Sequence, residues 1–235
     1  FHTKAFRIAA IFAAVSAILQ PLSGDFSAKD VAKRQPAKLA AMEAHFKTEE
    51  KAALIIGGVP DEKTETVKYA LKIPGALSFL AHGDFNTEVT GLDKIPKDER
   101  PPVAIVHYSF QVMVMLGVVM MLIALLYLFI LWRKKNWLPK RWLLKMFVWA
   151  IPAGFIAVEA GWIVTEVGRQ PWIMYGFMRT ADAVTPMPGI VYSFYIFTAV
   201  YLSLSIIVMI LLYRQVKMVG VLYDIPANNS LPDNH

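Results

Sequence analysis

The chain has 235 residues, a formal net charge of +6, 56% hydrophobic residues, only 18% charged residues and no cysteine. Its apolar residues are clustered: residues 101–132 and 183–213 contain no Asp, Glu, Lys or Arg, and each stretch exceeds the roughly 20 residues that cross a bilayer as a helix. This pattern excludes a soluble enzyme, and the lack of cysteine excludes a disulfide framework, a thiolate zinc site and cysteine-ligated iron.

The first predicted element is a transmembrane helix over residues 1–24. Residues 8–24 carry no charge and follow Lys4 and Arg7. A secretory signal peptide shares this pattern, but the sequence around Pro21 has no clear small-x-small cleavage site. Because the chain starts with Phe1, we expect the helix to begin upstream.

Residues 25–102 form a predicted extracytoplasmic loop. Residues 25–100 hold 12 Lys/Arg and 13 Asp/Glu, so this part of the chain is nearly neutral and faces water. The spacing of apolar residues predicts a short helix within residues 36–50, and glycines and prolines mark turns in the rest. A loop of this length favours a functional role.

Charge orients the predicted helices that follow. Residues 133–145 hold six Lys/Arg and no acid, which marks a cytoplasmic loop and accounts for the positive net charge without a nucleic-acid partner. The predicted fold is an all-α polytopic membrane protein with four transmembrane helices and a large extracytoplasmic loop containing short helices. The remaining predicted segments are helices over 103–132, 143–167 and 188–213, a cytoplasmic loop over 133–142, an extracytoplasmic connection over 168–187, and a cytoplasmic tail over 214–235.

The predicted helix over residues 143–167 carries two acids in an apolar setting. Glu159, Trp162, Glu166 and Arg169 follow one another at helical spacing on one stripe, and Gly161 would allow another group to approach the backbone. Intramembrane charges are costly and are usually functional. The spacing leaves two interpretations open: a Glu166–Arg169 ion pair near the membrane surface, or a carboxylate that ligates a metal or relays protons.

The predicted helix over residues 103–132 offers His107, Gln111 and Met113 near its outer end. A methionine in an apolar helix usually only packs, although a thioether can complete a low-spin haem site. In the loop, Lys38 and Glu43 flank the short helical segment, where charged residues are usually a solvated face. Spacing alone gives these residues no role.

Several longer motifs are more specific. They are Glu159-Ala160-Gly161-Trp162, Glu166-Val167-Gly168-Arg169-Gln170-Pro171-Trp172, Arg179-Thr180-Ala181-Asp182-Ala183-Val184, Gln35-Pro36-x-Lys38-Leu39-Ala40-Ala41-Met42-Glu43 and Tyr108-x-Phe110-x-x-Met113. In this order they resemble subunit I of the cytochrome bd-type quinol oxidases. The resemblance covers essentially the whole chain.

The resemblance implies a respiratory oxidase of the bacterial or archaeal cytoplasmic membrane. Such an enzyme oxidises membrane quinol on the outer side, reduces dioxygen to water and takes protons from the cytoplasm, which generates a proton-motive force. It also implies three haems in this subunit: a low-spin haem b and a high-spin pair of haem b and haem d. Implied partners are a homologous second large subunit and sometimes a small single-span subunit.

The resemblance also implies roles for individual residues. Met113 is expected to be an axial ligand of the low-spin haem iron, and Glu166 a ligand of a high-spin haem iron. Trp162 is expected beside that pair, with Glu159 as a further catalytic acid, and Arg169 near the haem propionates. Lys38 and Glu43 are expected to act in quinol oxidation.

Two departures from the family pattern stand out. Position 111 is Gln, where long-loop members carry an Arg near the low-spin haem; this bears on the haem potential, and Gln111 is kept as a cofactor-binding candidate. The loop passes from Gly91-Leu92 to Pro101-Pro102 without the long insertion, which indicates the short-loop branch. None of the five histidines matches a family haem ligand, so we expect this chain to be the C-terminal portion of subunit I.

Two other function classes compete with the oxidase. Glu159 and Glu166 could form an ion or proton path in a transporter, or the chain could be a non-catalytic scaffold. A transporter would be expected to show internal repeats, and none is visible. A scaffold gives no reason for two intramembrane acids. The resemblance favours the oxidase.

Overall fold

The computed structural model describes residues 2–133 and 141–224, with side chains described for residues 3–133 and 141–218. Most of the predicted basic loop (133–142) and the end of the predicted tail (214–235) therefore lie outside the described residues. The chain divides into two compact units, Phe1–Val184 and Thr185–His235.

Four described helices are long and apolar enough to cross a membrane, which confirms the predicted fold class. They are α1 (His2–Arg34), α4 (Val103–Arg133), α5 (Arg141–Val167) and α6 (Ile190–Asp224). Helix α6 is the main element of the second unit. Within the first unit, α4 packs along α5 and against α1.

Helix α1 continues beyond its apolar part to Arg34. Residues 25–34, which composition places in the loop, are thus helical. Composition separates membrane from water, but it does not separate helix from coil. Two ion pairs at i, i+4 spacing stabilise this polar extension, Lys29–Asp25 at 2.6 Å and Arg34–Asp30 at 2.7 Å.

Helix α2 (Pro36–Met42) is shorter than the helix predicted within residues 36–50. Pro36 starts it, at a position where a missing N–H costs nothing. Ala44 ends it, because its φ of 48° is left-handed and the next amide, on His45, turns back to donate to the Ala40 carbonyl at 2.8 Å. The apolar spacing that predicted the longer helix continues to Phe46, a core residue outside the helix.

The rest of the loop contains strands that the sequence did not predict. β1 (Leu54–Ile56) pairs with β4 (Leu71–Ile73), and β2 (Val59–Asp61) with β3 (Thr66–Lys68), both antiparallel. Helix α3 (Ala76–His82) follows, then two 3₁₀ turns, Leu92–Lys94 and Lys97–Glu99. Strands of three residues are too short to show an alternating pattern.

The connection after α5 is a hairpin in which β5 (Trp172–Met174) pairs with β6 (Met178–Arg179), followed by a 3₁₀ turn, Thr180–Ala183. Arg179 Nη2 lies 3.0 Å from Asp98 Oδ2 and 3.1 Å from Glu99 Oε1. The hairpin is thereby joined to the end of the long loop.

Small apolar clusters hold the loop on the helices. Ala41 of α2, Val106 of α4 and Val164 of α5 form one buried cluster, and Ala37, Ala40 and Phe46 form another with Leu92 and Val103. The alanines allow α2 to lie close against the N-terminal end of α4 and the C-terminal end of α5. This packing positions the candidate site.

Candidate functional site

Lys38 lies on α2 with its side chain turned toward α5. It is 8% exposed, and its Nζ donates to the Thr165 carbonyl at 3.2 Å. Burial and the positive charge of Arg169 lower the pKa of Lys38, while the Glu166 carboxylate opposes them. The loop and the stripe of α5 that carries the acids therefore meet at this lysine.

Glu43 follows α2 and is buried, with 1% of its surface exposed. Neither carboxyl oxygen has a hydrogen-bond partner among the described residues. Burial raises the pKa of Glu43 from its usual 4.5 to about 8, and the backbone amide of Ile55 only partly offsets this effect. Such a carboxyl holds its proton at neutral pH and is poised to exchange it.

Two polar side chains of α4 contact the loop next to Glu43. His107 is fully buried, with Nδ1 2.8 Å from the Met42 carbonyl and Nε2 3.3 Å from the Gly57 carbonyl. Gln111, one turn further along α4, donates from Nε2 to the Ile55 carbonyl at 2.9 Å and accepts from the Gly57 amide at 3.2 Å. The structure therefore places Gln111 on the loop backbone.

The acidic stripe of α5 is exposed in the described residues. Trp162 is 64% exposed, Glu159 is also exposed, and the Glu166 side chain is 50% exposed. Arg169 Nη2 lies 3.9 Å from Glu166 Oε1, the outer limit of an ion pair. So long a contact between partly exposed groups contributes little stability, which leaves the Glu166 carboxylate available to another partner.

Met113 is half-buried on α4 and faces α5 at Gly161. A Cβ added at Gly161 would lie 2.9 Å from the Met113 sulfur. The predicted close approach at Gly161 is thus made by the thioether of Met113. The sulfur lies against the helix that carries Glu159, Trp162 and Glu166.

Two buried donors beside Lys38 have no acceptor. Arg169 Nε and Trp172 Nε1 lack a hydrogen-bond partner among the described residues, as does the acceptor Gln35 Oε1. All three residues line one narrow cleft with Lys38. The cleft, which Glu99 also lines, has no space for a water molecule in this structure, so both donors remain unsatisfied there.

Sequence reasoning gave no role to His107, Trp172 or Thr165. His107 stands out in the sequence only by its place near one end of its helix, and Trp172 only as part of a motif. His107 contacts backbone groups that are distant in sequence, and the Thr165 carbonyl accepts from the equally distant Lys38. Trp172 lines the cleft with the unpartnered donors. Sequence spacing does not encode such long-range contacts. Among the described residues, no cluster of three His, Cys, Asp or Glu could hold a metal ion by itself.

Comparison with known proteins gives consistent matches. The family described as cytochrome bd terminal oxidase subunit I matches residues 1–219. A candidate cytochrome bd menaquinol oxidase subunit I of Bacillus subtilis (strain 168) is 42% identical over 91% of this chain and 48% of its own length. The cytochrome bd ubiquinol oxidase subunit 1 of the same organism is 34% identical over 92% of this chain and 49% of its own length.

A solved structure supports the same family assignment. The structure of bd oxidase from Geobacillus thermodenitrificans matches with a TM-score of 0.81 and 41% identity, covering 93% of this chain and 50% of that one. The chain thus spans about half the length of the relatives it matches.

Proposed function

We infer the function from one premise: the chain belongs to the cytochrome bd terminal oxidase subunit I family and is a multi-pass membrane protein. We propose that it is a haem-bearing part of a quinol:dioxygen oxidoreductase. In this proposal, membrane quinol is oxidised at the outer ends of α4 and α5, and dioxygen is reduced to water with protons from the cytoplasm. The reaction would generate a proton-motive force.

The observation that carries the proposal is the buried, unpartnered carboxyl of Glu43, which directly follows α2, the helix that also bears the buried Lys38. Quinol oxidation releases protons, and a carboxyl with a pKa of about 8 can accept one and pass it on. The Lys38 ammonium can donate a hydrogen bond to a quinol oxygen. Both side chains lie on or next to α2, at the predicted outer surface.

The residues present fit haem. Met113 offers a thioether for the low-spin haem b iron and Glu166 a carboxylate for a high-spin haem iron. The unpartnered donors Arg169 Nε and Trp172 Nε1 are suited to haem propionates. Trp162 and Glu159 extend the same stripe of α5 toward the membrane interior and would face the high-spin pair, of haem b and haem d type. When bound, these groups would carry electrons from quinol to dioxygen.

Topology and partners complete the proposal. The basic residues around 133–145 support a cytoplasmic location for that loop; in this proposal residues 25–102 and 168–187 lie outside and the tail over 214–235 lies inside. The membrane is the cytoplasmic membrane of a bacterium or archaeon. A homologous second large subunit is the main partner, and a small single-span subunit is a further one.

The test is the reduced-minus-oxidised spectrum of the full-length subunit in its complex. We expect Met113→Leu to remove the low-spin haem b signal and Glu166→Ala to remove a high-spin signal. Met115→Leu is the matched control, because Met115 lies on the same helix and is 58% exposed. Unchanged bands in both test variants would refute the ligand roles and return Glu166 to the ion-pair or proton-path interpretation.

A further inference from the structure

Gln111 pairs with the loop backbone as a neighbouring strand would. Its amide N–H donates to the Ile55 carbonyl at 2.9 Å and its amide oxygen accepts from the Gly57 amide at 3.2 Å. Both bonds are made to groups two residues apart on the same edge of the chain. A side chain that satisfies a donor and an acceptor at once fixes the segment in position and in register.

His107 adds a second attachment one helical turn away. Its Nδ1 lies 2.8 Å from the carbonyl of Met42, the last residue of α2, and its Nε2 lies 3.3 Å from the Gly57 carbonyl. Both partners are acceptors and a neutral ring has one N–H, so we assign the hydrogen bond to the shorter contact, with Met42. Carbonyls at helix ends lack partners inside the helix, so this contact closes the end of α2. His107 is fully buried, which excludes water as a competitor.

Both attachments flank Glu43. Met42 directly precedes it, and the Ile55 amide lowers the pKa of its carboxyl without making a hydrogen bond of good geometry to it. Helix α4 therefore holds both the end of α2 and segment 55–57, the two pieces of chain between which Glu43 is buried. A shift of either piece would expose the carboxyl or change its surroundings.

We propose that Gln111 and His107 are positioning residues that latch segment 55–57 and the end of α2 to α4, and so set the geometry of the quinol site around Glu43. The role in the quinol site rests on the proposed quinol oxidation, whereas the attachment of the loop to α4 rests on the hydrogen bonds alone. It assigns Gln111 to the loop rather than to the low-spin haem. An arginine has five donors and no acceptor, so it could not accept from the Gly57 amide.

The test uses Gln111→Arg and Gln111→Glu in the full-length subunit within its complex, with Tyr108→Phe as the control on the same turn. Amide hydrogen exchange of Gly57 is measured by mass spectrometry of peptides covering residues 54–60. We expect roughly tenfold faster exchange in Gln111→Arg, the change that one lost hydrogen bond produces. Gln111→Glu keeps an acceptor, so Gly57 should stay protected, as it should in Tyr108→Phe.

Two further readouts separate a latch from a haem contact. We expect Gln111→Arg to raise the KM for a soluble quinol several-fold, whereas a haem contact of Gln111 would instead change the low-spin haem spectrum. Unchanged exchange at Gly57, or a changed haem spectrum with an unchanged KM, would overturn the proposal. A wild-type complex that oxidises no quinol would refute the proposed function, whereas the exchange data would still decide whether the latch exists.

Discussion

Glutamine in place of Glu43 removes a buried titratable group while keeping the shape of the side chain. The carboxyl is 1% exposed and lacks a hydrogen-bond partner among the described residues. Burial raises its pKa from 4.5 to about 8. A shift of this size corresponds to about 5 kcal/mol of free energy that disfavours the ionised form in the folded loop.

The sign of the resulting pH dependence follows from the direction of the shift. When the loop opens, Glu43 loses its proton near pH 4.5, whereas in the closed loop it keeps the proton up to about pH 8. Between these values the open loop binds fewer protons, so the stability of the closed loop falls as the pH rises. Below pH 4.5 the full stability is present, and above about pH 8 the loss is complete.

Hydrogen exchange of peptides covering residues 36–60 measures this effect in the assembled complex. The difference in closed-loop stability between Glu43→Gln and wild type should grow by about 3 kcal/mol, in favour of the variant, as the pH rises from 5.5 to 9. Comparing the two proteins at each pH removes the intrinsic pH dependence of exchange. Glu50→Gln, an exposed position in the same loop, should follow wild type.

The same variant tests the catalytic role. A proton acceptor works in its ionised form, so kcat/KM for quinol should rise in wild type as the pH approaches 8, and Glu43→Gln should lose most of this activity. A difference in loop stability that does not change with pH would refute the argument from burial. An unchanged pH profile of quinol oxidation in Glu43→Gln would refute the role of Glu43 as a base.

Two further predictions concern Met113 and Lys38. Gly161→Ala places a Cβ 2.9 Å from the Met113 sulfur, whereas the control Gly154→Ala places one 3.8 Å from the sulfur of Met120, an ordinary contact. A free thioether would move away from the new Cβ, but a thioether bound to iron cannot. Only Gly161→Ala should therefore shift the midpoint potential of the low-spin haem in a redox titration. Equal potentials in the two variants would count against Met113 as a ligand. Lys38→Met keeps the aliphatic chain but removes the ammonium, and should raise the KM for quinol about tenfold while the haem spectrum stays unchanged; an unchanged KM would show that the amine serves only its contact with Thr165.

The sequence predicted the elements that depend on composition and failed on those that depend on contacts. The four membrane helices follow from long, predominantly apolar stretches, and the structure confirms them. The polar end of α1 and the three-residue strands were not predicted, because segments so short or so polar show no apolar repeat. The end of α2 is set by the left-handed backbone at Ala44, a residue type that gives no sign of it.

In the candidate site, too, local motifs could be predicted and long-range contacts could not. Lys38, Glu43, Met113 and Glu166 could be chosen from motifs, and their roles remain predictions. The burial of Glu43 and the pairing of Gln111 with Gly57 could not be foreseen, since each joins residues more than 10 positions apart in the chain. Local spacing carries no signal for such contacts.

The contact between Lys38 and Thr165 links the two halves of the proposed chemistry. These residues lie 127 positions apart, yet the Lys38 amine bonds to the backbone directly before Glu166. From Glu166 the stripe of α5 runs through Trp162 to Glu159, about two turns from the C-terminal end of the helix. A charge that faces lipid is costly, by up to about 2.5–3.5 kcal/mol at the centre of a membrane helix, so in the proposed membrane setting an exposed stripe with two carboxylates favours a polar or metal-bearing cover. We therefore propose that haem and a partner subunit cover this face of α5, next to the buried groups that would take protons from quinol.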